Sequence, residues 1–137
     1  MDSTARNIAT LHKALAAFND PINRESYFDL YDEHIVLHGY TDGLPQGLTG
    51  LKTYYRQVWA ALDAPHISVE DIVASGDTVA CRYILSATHT GLFMGIPGTH
   101  RQFSVNGMTF LRFANGRCVE RWQGMDRLSL LRQLDAA

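Results

Sequence analysis

The stretch that decides the fold is Gln102-Phe103-Ser104-Val105-Asn106-Gly107-Met108-Thr109-Phe110-Leu111-Arg112-Phe113-Ala114-Asn115-Gly116-Arg117-Cys118-Val119-Glu120-Arg121-Trp122-Gln123. Phe103, Val105, Thr109 and Leu111 fall on one face of an extended chain and Met108 and Phe110 on the other, the period of a strand. Asn115-Gly116 is the dipeptide that closes β-hairpins, and residues 117–123 read as the return strand. Two registers are open. A two-residue Asn115-Gly116 turn sets Thr109 opposite Trp122. A three-residue turn with Gly116 in the left-handed region sets Thr109 against Arg121, with Gln123 on the same side.

Upstream, Val79, Cys81, Tyr83 and Leu85 alternate with Arg82 and Ser86, a second long strand, and Ile67, Val69, Ile72 and Val73 precede it across the Ser75-Gly76-Asp77 turn. The loop Gly91–Gly98, with Gly95-Ile96-Pro97-Gly98 at its tip, joins the two long strands. Downstream, Asp126 precedes Leu128, Leu130, Leu131 and Leu134, the stripe of a closing helix. Towards the N-terminus the period changes to helical. Ile8, Leu11, Leu15 and Phe18 predict a helix over 3–19, capped by Ser3 and ended before Pro21. Asn23 opens a short helix carrying Tyr27, Leu30 and Tyr31. Residues 33–40 read as a strand and 41–47 as a loop, and Leu51, Tyr54, Tyr55, Val58, Trp59 and Leu62 mark a helix over 49–63. Helices first, an antiparallel meander next and one closing helix make an α+β fold. Strands apolar on both faces imply a strongly curved antiparallel sheet, one face on helices and the other on a second subunit.

Nothing divides the 137 residues, so residues 1–137 are expected to form a single domain. A net charge of −2 gives no footprint for nucleic acid, and no apolar run approaches the roughly 18–20 residues of a membrane span. The opening Met1-Asp2-Ser3-Thr4-Ala5-Arg6 has no secretory pattern, and the two cysteines, Cys81 and Cys118, fit free thiols in a reducing cytoplasm. No phosphate loop, dinucleotide fingerprint, nucleophile elbow or metal cluster is present, so neither a cofactor nor a metal is indicated.

Two groups of residues resemble a known family. They are Ser86-Ala87-Thr88-His89-Thr90-Gly91 with Phe93-Met94-Gly95-Ile96-Pro97-Gly98, and Asn115-Gly116-Arg117-Cys118-Val119-Glu120-Arg121-Trp122 with Asp126 and Leu130-Leu131-Arg132-Gln133-Leu134. Together they resemble the SnoaL-like polyketide cyclases of the nuclear transport factor 2-like superfamily. The resemblance implies a cone made of a curved sheet and N-terminal helices, a cystatin-like roll. It also implies a cofactor-independent enzyme working by proton transfer on a polyketide- or terpenoid-like carbonyl compound, with cyclisation, isomerisation or hydration as outcomes. Homodimers or larger assemblies, paired through the sheet, are implied as well. The family's His and Asp fall at Thr109 and Gln123, which hydrogen-bond but take no proton near neutral pH.

Other groups could replace that pair. His89 ends a mostly apolar strand face and is either a base at the cavity edge or a clamp on the Gly91–Gly98 loop. His38 is a pocket acid, a ligand donor or a strand-end residue, and Asp126 is a helix cap or a cavity carboxylate. Glu120 is expected to pair with Arg112 or Arg82 on the outer sheet face. The candidate catalytic set is therefore His89, His38, Asp126 and Gln123. Phe18, Tyr40, Tyr54, Gln57, Trp59, Tyr83, Phe93, Thr109 and Trp122 form the candidate wall for a small apolar ligand. Two other functions fit the same cone. One is a binding protein without chemistry. The other is an epoxide hydrolase drawing on Arg82, Arg121 and Asp126.

Overall fold

The computed structural model describes residues 2–136, so Met1 of the N-terminal stretch lies outside them. Helix α1 spans Ser3–Phe18 and buries Leu11, Ala14 and Phe18. Its cap is Asp2, one residue before the expected Ser3: the Asp2 carboxylate accepts from the Ala5 N–H at 2.8 Å. A 3₁₀ helix, Arg24–Leu30, delivers Tyr27, Phe28 and Leu30 to the core. Strand β1 runs over Tyr31–His38, and α2, Gly47–Ala61, passes straight into β2, Leu62–Ser75. Strands β3, Thr78–His89, β4, Gln102–Ala114, and β5, Arg117–Met125, follow, and α3, Arg127–Gln133, closes the chain.

The sheet order is β1-β5-β4-β3-β2. The four later strands form the antiparallel meander. The expectation of a wholly antiparallel sheet is corrected at the edge, where β1 joins β5 in parallel and sets Leu37 beside Arg121 and His38 beside Trp122. The long excursion through α2 and the meander between β1 and β5 is what permits a parallel pair. The helices cover the inner face. The side chain of Asn19 holds the end of α1 to β2, bonding both the Ile67 carbonyl (2.9 Å) and its N–H (2.7 Å).

The hairpin takes neither expected register. Its turn has two residues, both left-handed (Asn115 φ 52°, Gly116 φ 80°), with Ala114 opposite Arg117. A bulge then intervenes between Phe113↔Cys118 and Arg112↔Glu120, leaving Val119 as the extra residue. Beyond it Thr109 lies opposite Gln123 and Phe110 opposite Trp122. Because strand side chains alternate, one extra residue exchanges the faces of everything that follows. Arg121, Gln123 and Met125 turn into the cone, and Glu120 and Trp122 turn out.

Candidate active site

The inner faces of β3, β4 and β5 bring Tyr83, Thr109, Arg121 and Gln123 together under α1, α2 and the 3₁₀ helix. Arg121 is 6% exposed. Its Nε donates to Thr109 Oγ1 (2.9 Å) and its Nη2 to Gln123 Oε1 (3.0 Å). Nη1 reaches three phenol oxygens, Tyr27 (2.7 Å), Tyr55 (3.0 Å) and Tyr31. The guanidinium also lies 5.9 Å from the centre of the Tyr40 ring, and Tyr40 and Tyr55 share a hydroxyl contact of 3.1 Å. A guanidinium has five N–H bonds. Nε–H, the two on Nη1 and one on Nη2 meet these acceptors, and the second Nη2 proton has no protein acceptor among the described residues.

Among the described residues no carboxylate pairs with this charge. Burial by itself would lower the guanidinium's pKa; the tyrosine oxygens around it outweigh that and leave it well above its ordinary value. The tyrosines show the reverse balance. Burial raises Tyr27, Tyr31 and Tyr40 well above the usual phenol, against the downward pull of Arg121, and pushes Tyr83 up to about 12. The network therefore holds one cation among neutral hydroxyls.

Tyr83 reaches Gln123 because Gly107 lies opposite it. A Cβ at Gly107 would stand 2.3 Å from Tyr83 Cζ, so the bare backbone is the floor on which the ring lies. The Tyr83 hydroxyl accepts from Gln123 Nε2, which fixes the amide with its oxygen towards Arg121.

Above the network is a small chamber with a free volume of about 40 Å³, enough for a few water-sized groups. Phe18, Tyr83 and Thr109 are on its wall. Tyr54, Val58, Phe93, Gln123 and Met125 border both this chamber and an open cleft of about 1110 Å³, and so form the throat. Tyr40, Gln57, Met94 and Leu131 line the cleft. No Asp, Glu or His lines either space.

The structure puts five of the predicted site residues elsewhere. His89 is wholly buried; its Nδ1 accepts from the Thr99 N–H (3.3 Å) and stands 3.0 Å from Thr99 Oγ1. That leaves the proton on Nε2, which has no partner, and the ring packs edge-on to Phe93 beneath the Gly91–Gly98 loop. His38 is on the outer sheet face, bonded to Glu120 Oε2 (2.7 Å) and stacked on Trp122 with ring centres 5.0 Å apart. Trp122 is 39% exposed there, turned out by the bulge. Trp59 packs behind the site against Phe18, Phe28 and Tyr27. Asp126 is an exposed cap that accepts from the Ser129 N–H (3.1 Å). Glu120 meets Arg112 on the outer face (3.0 Å), while Arg82 pairs with Asp71. Of Arg82, Arg121 and Asp126, only Arg121 therefore enters the cone, and the acid partners that epoxide opening needs are missing from its lining.

The residues that sequence reasoning missed are Arg121 as the centre of the site and Tyr27, Tyr31 and Tyr55 as its partners. Their helical spacing reads as ordinary core. The available signal was an arginine within a strand-forming stretch, with tyrosines on the 3₁₀ helix, β1, α2 and β3 before it.

Among the described residues, no cluster of three or more His, Cys, Asp or Glu could hold a metal, and no helix is long and apolar enough to cross a membrane. Cys81 and Cys118 are both buried free thiols.

Comparison with known proteins agrees with this architecture. None of the curated protein sequences matches the chain. Among solved structures, TsrD from Streptomyces laurentii is 25% identical, with 100% of this chain and 99% of that one covered and a TM-score of 0.86. The proposed hydroxylase AclR from Streptomyces galilaeus is 27% identical over 98% of this chain and 99% of its own, with a TM-score of 0.84. The proposed polyketide cyclase IdmH from Streptomyces antibioticus is 30% identical over 98% and 99%, with a TM-score of 0.77. The family model for SnoaL-like polyketide cyclase matches residues 9–134. A curved sheet folded over a tyrosine-ringed arginine is thus this chain's version of a shared design, and the chain belongs to the SnoaL-like polyketide cyclase family.

Proposed function

We propose that the protein is a cofactor-independent enzyme that takes an apolar, carbonyl-bearing molecule, polyketide- or terpenoid-like, head-first into the cone. It promotes proton transfer next to the carbonyl, with cyclisation, isomerisation or hydration as the result. The observation that supports this is the single buried guanidinium, with one N–H uncommitted, at the floor of an aromatic chamber. A carbonyl oxygen entering the chamber meets that N–H. As the α-carbon gives its proton to solvent in the open cleft, the electron pair moves onto the carbonyl oxygen, where a fixed positive charge in an apolar setting stabilises it. The nucleophilic carbon then attacks a second carbonyl or regains a proton elsewhere. Thr109 and Gln123 hold the guanidinium in position, and Tyr54 and Phe93 grip the body of the molecule at the throat. The chain works in the cytoplasm, where its thiols stay reduced, as a dimer paired through the outer sheet face. There Met108 (66% exposed), Phe110 and Trp122 form an apolar patch.

The experiment is turnover of aromatic polyketide ketones, with products identified by mass and by exchange of the α-hydrogen for deuterium. Exchange or cyclisation above the uncatalysed rate, lost in Tyr54→Trp where the throat is blocked, is the expected result. A second reading, binding without chemistry, is favoured by the lack of any histidine or carboxylate on the lining. A ketone that raises the Tm, is recovered unchanged and exchanges no deuterium would decide for it.

A further inference from the structure

The cone holds an uncompensated charge, and that charge says what form of ligand it takes. Arg121 forms none of the ion pairs among the described residues, and neither the chamber nor the cleft presents a carboxylate. A buried ion without a counter-charge is costly to keep, and an anion that enters the chamber relieves that cost.

We infer that the cone binds its ligand as a single-oxygen anion, the enolate of an acidic 1,3-dicarbonyl or the phenolate of a polyphenol, with the charged oxygen on Arg121. The inference rests on the cone being the carbonyl site proposed above and names the class of molecule that fits it.

Two features select this class over a carboxylic acid. A carboxylate would use the paired N–H bonds of a guanidinium edge. Here four of the five N–H bonds are already taken by Thr109, Gln123 and the tyrosines, so only one oxygen can be met. The second oxygen of a carboxylate would remain buried without a donor. The chamber is also sized for the purpose. A chamber of about 40 Å³ takes an oxygen and the edge of its ring, while the remaining rings lie in the 1110 Å³ cleft beyond Tyr54 and Phe93. Ionisation balances simply: the ligand's O–H or α-C–H bond breaks, the proton leaves to solvent, and the electron pair stays on the oxygen that faces Arg121.

The test uses naphthol, its more acidic chloro and nitro derivatives, and two neutral probes, methoxynaphthalene and acetylnaphthalene, with the full chain. Binding is followed by the absorbance of the naphthol, which differs between neutral and ionised forms. Affinity should rise with the acidity of the probe. The bound naphthol should be ionised at pH values where the free one is neutral, by about ten- to a hundredfold in the ionisation constant. Methoxynaphthalene should bind about tenfold or more weaker than naphthol. Arg121→Met should abolish the acidity dependence and Arg121→Lys should retain part of it. If the methionine variant does not fold, the wild-type spectra decide alone. Naphthols that bind in neutral form, with affinity indifferent to acidity, overturn the inference, and acetylnaphthalene binding in the same experiment leaves the carbonyl reading standing. Saturable binding by none of the probes overturns both.

Discussion

Replacing Gly107 by Ala tests the geometry that holds Gln123 and, through it, Arg121. The new methyl would stand 2.3 Å from Tyr83 Cζ and 2.4 Å from its hydroxyl oxygen, against the roughly 3.5–4.0 Å at which carbon atoms rest. The ring must retreat by about 1 Å, yet it is buried and bonded to Gln123. Overpacking of this kind costs about 1–3 kcal/mol, a fall in Tm on the order of 4–10 °C for a chain of this size. The decisive arm is the same substitution in a Tyr83→Ala background. There the methyl meets empty space, Gly107 has no left-handed backbone to protect, and alanine is intrinsically better than glycine in a strand by about 0.5–1 kcal/mol. The sign should therefore reverse: Gly107→Ala destabilises the wild type and is neutral or stabilising without the phenol. Urea and thermal unfolding of the four proteins measure the coupling. Equal costs in both backgrounds, within about 0.5 kcal/mol, would refute the idea that Gly107 exists to seat Tyr83.

Thr109→Val removes the acceptor of the buried Arg121 Nε–H and should cost about 1–3 kcal/mol in urea unfolding, whereas Thr109→Ser, which keeps the hydroxyl, should cost much less. Glu120, hydrogen-bonded by His38 and Arg112, has its carboxyl held below the ordinary range. Its ionised form therefore adds stability above the unfolded carboxyl's pKa, which is lost as pH falls through the depressed folded value. The Tm advantage of wild type over Glu120→Gln should shrink with acidification, and a pH-independent difference would reject the pairing. His89→Ala should cost about 2–4 kcal/mol and speed amide hydrogen exchange at Phe93 and Ile96, because the imidazole supports their loop; His38→Ala, on the outer face, should leave ligand affinity unchanged.

Much of the architecture was legible because strands and helices announce themselves by period. Val105, Thr109 and Leu111 alternate cleanly with Met108 and Phe110, and the faces they take are the faces their alternation indicates. Leu11 and Phe18 likewise lie on the buried side of α1. The pairing of β1 was not legible, since nothing in Ile35-Val36-Leu37 distinguishes a parallel from an antiparallel edge. The site was only half visible for a related reason. Gln123 and Thr109 stood out by position, and the three-residue register already sets Arg121 and Gln123 on the side of Thr109, a placement the structure reaches instead through a two-residue turn and the Val119 bulge. An apolar indole reads as a pocket wall and a guanidinium as surface, so hydrophobicity pointed the wrong way at both. His89 and His38 stand out in the sequence as imidazoles at strand ends. Their neighbours, Thr99 in one case and Glu120 with Trp122 in the other, are settled by contacts about ten and eighty residues away, which no local pattern encodes.

The extra residue at Val119 also bears on how the strand tolerates change in length. Strand β5 carries two complete sets of side chains, Arg121 and Gln123 in one, Glu120 and Trp122 in the other. Losing Val119 would join Cys118 directly to Glu120 and leave Arg112 beside Glu120 and Thr109 beside Gln123, so the cavity keeps its lining while the ladder becomes regular. The sets would change places only if Val119 were drawn into the ladder with no residue left over, which would bring an acid and an indole inside. The kink thus acts as a slack loop in the strand, absorbing a residue of length without disturbing the chemistry beyond it.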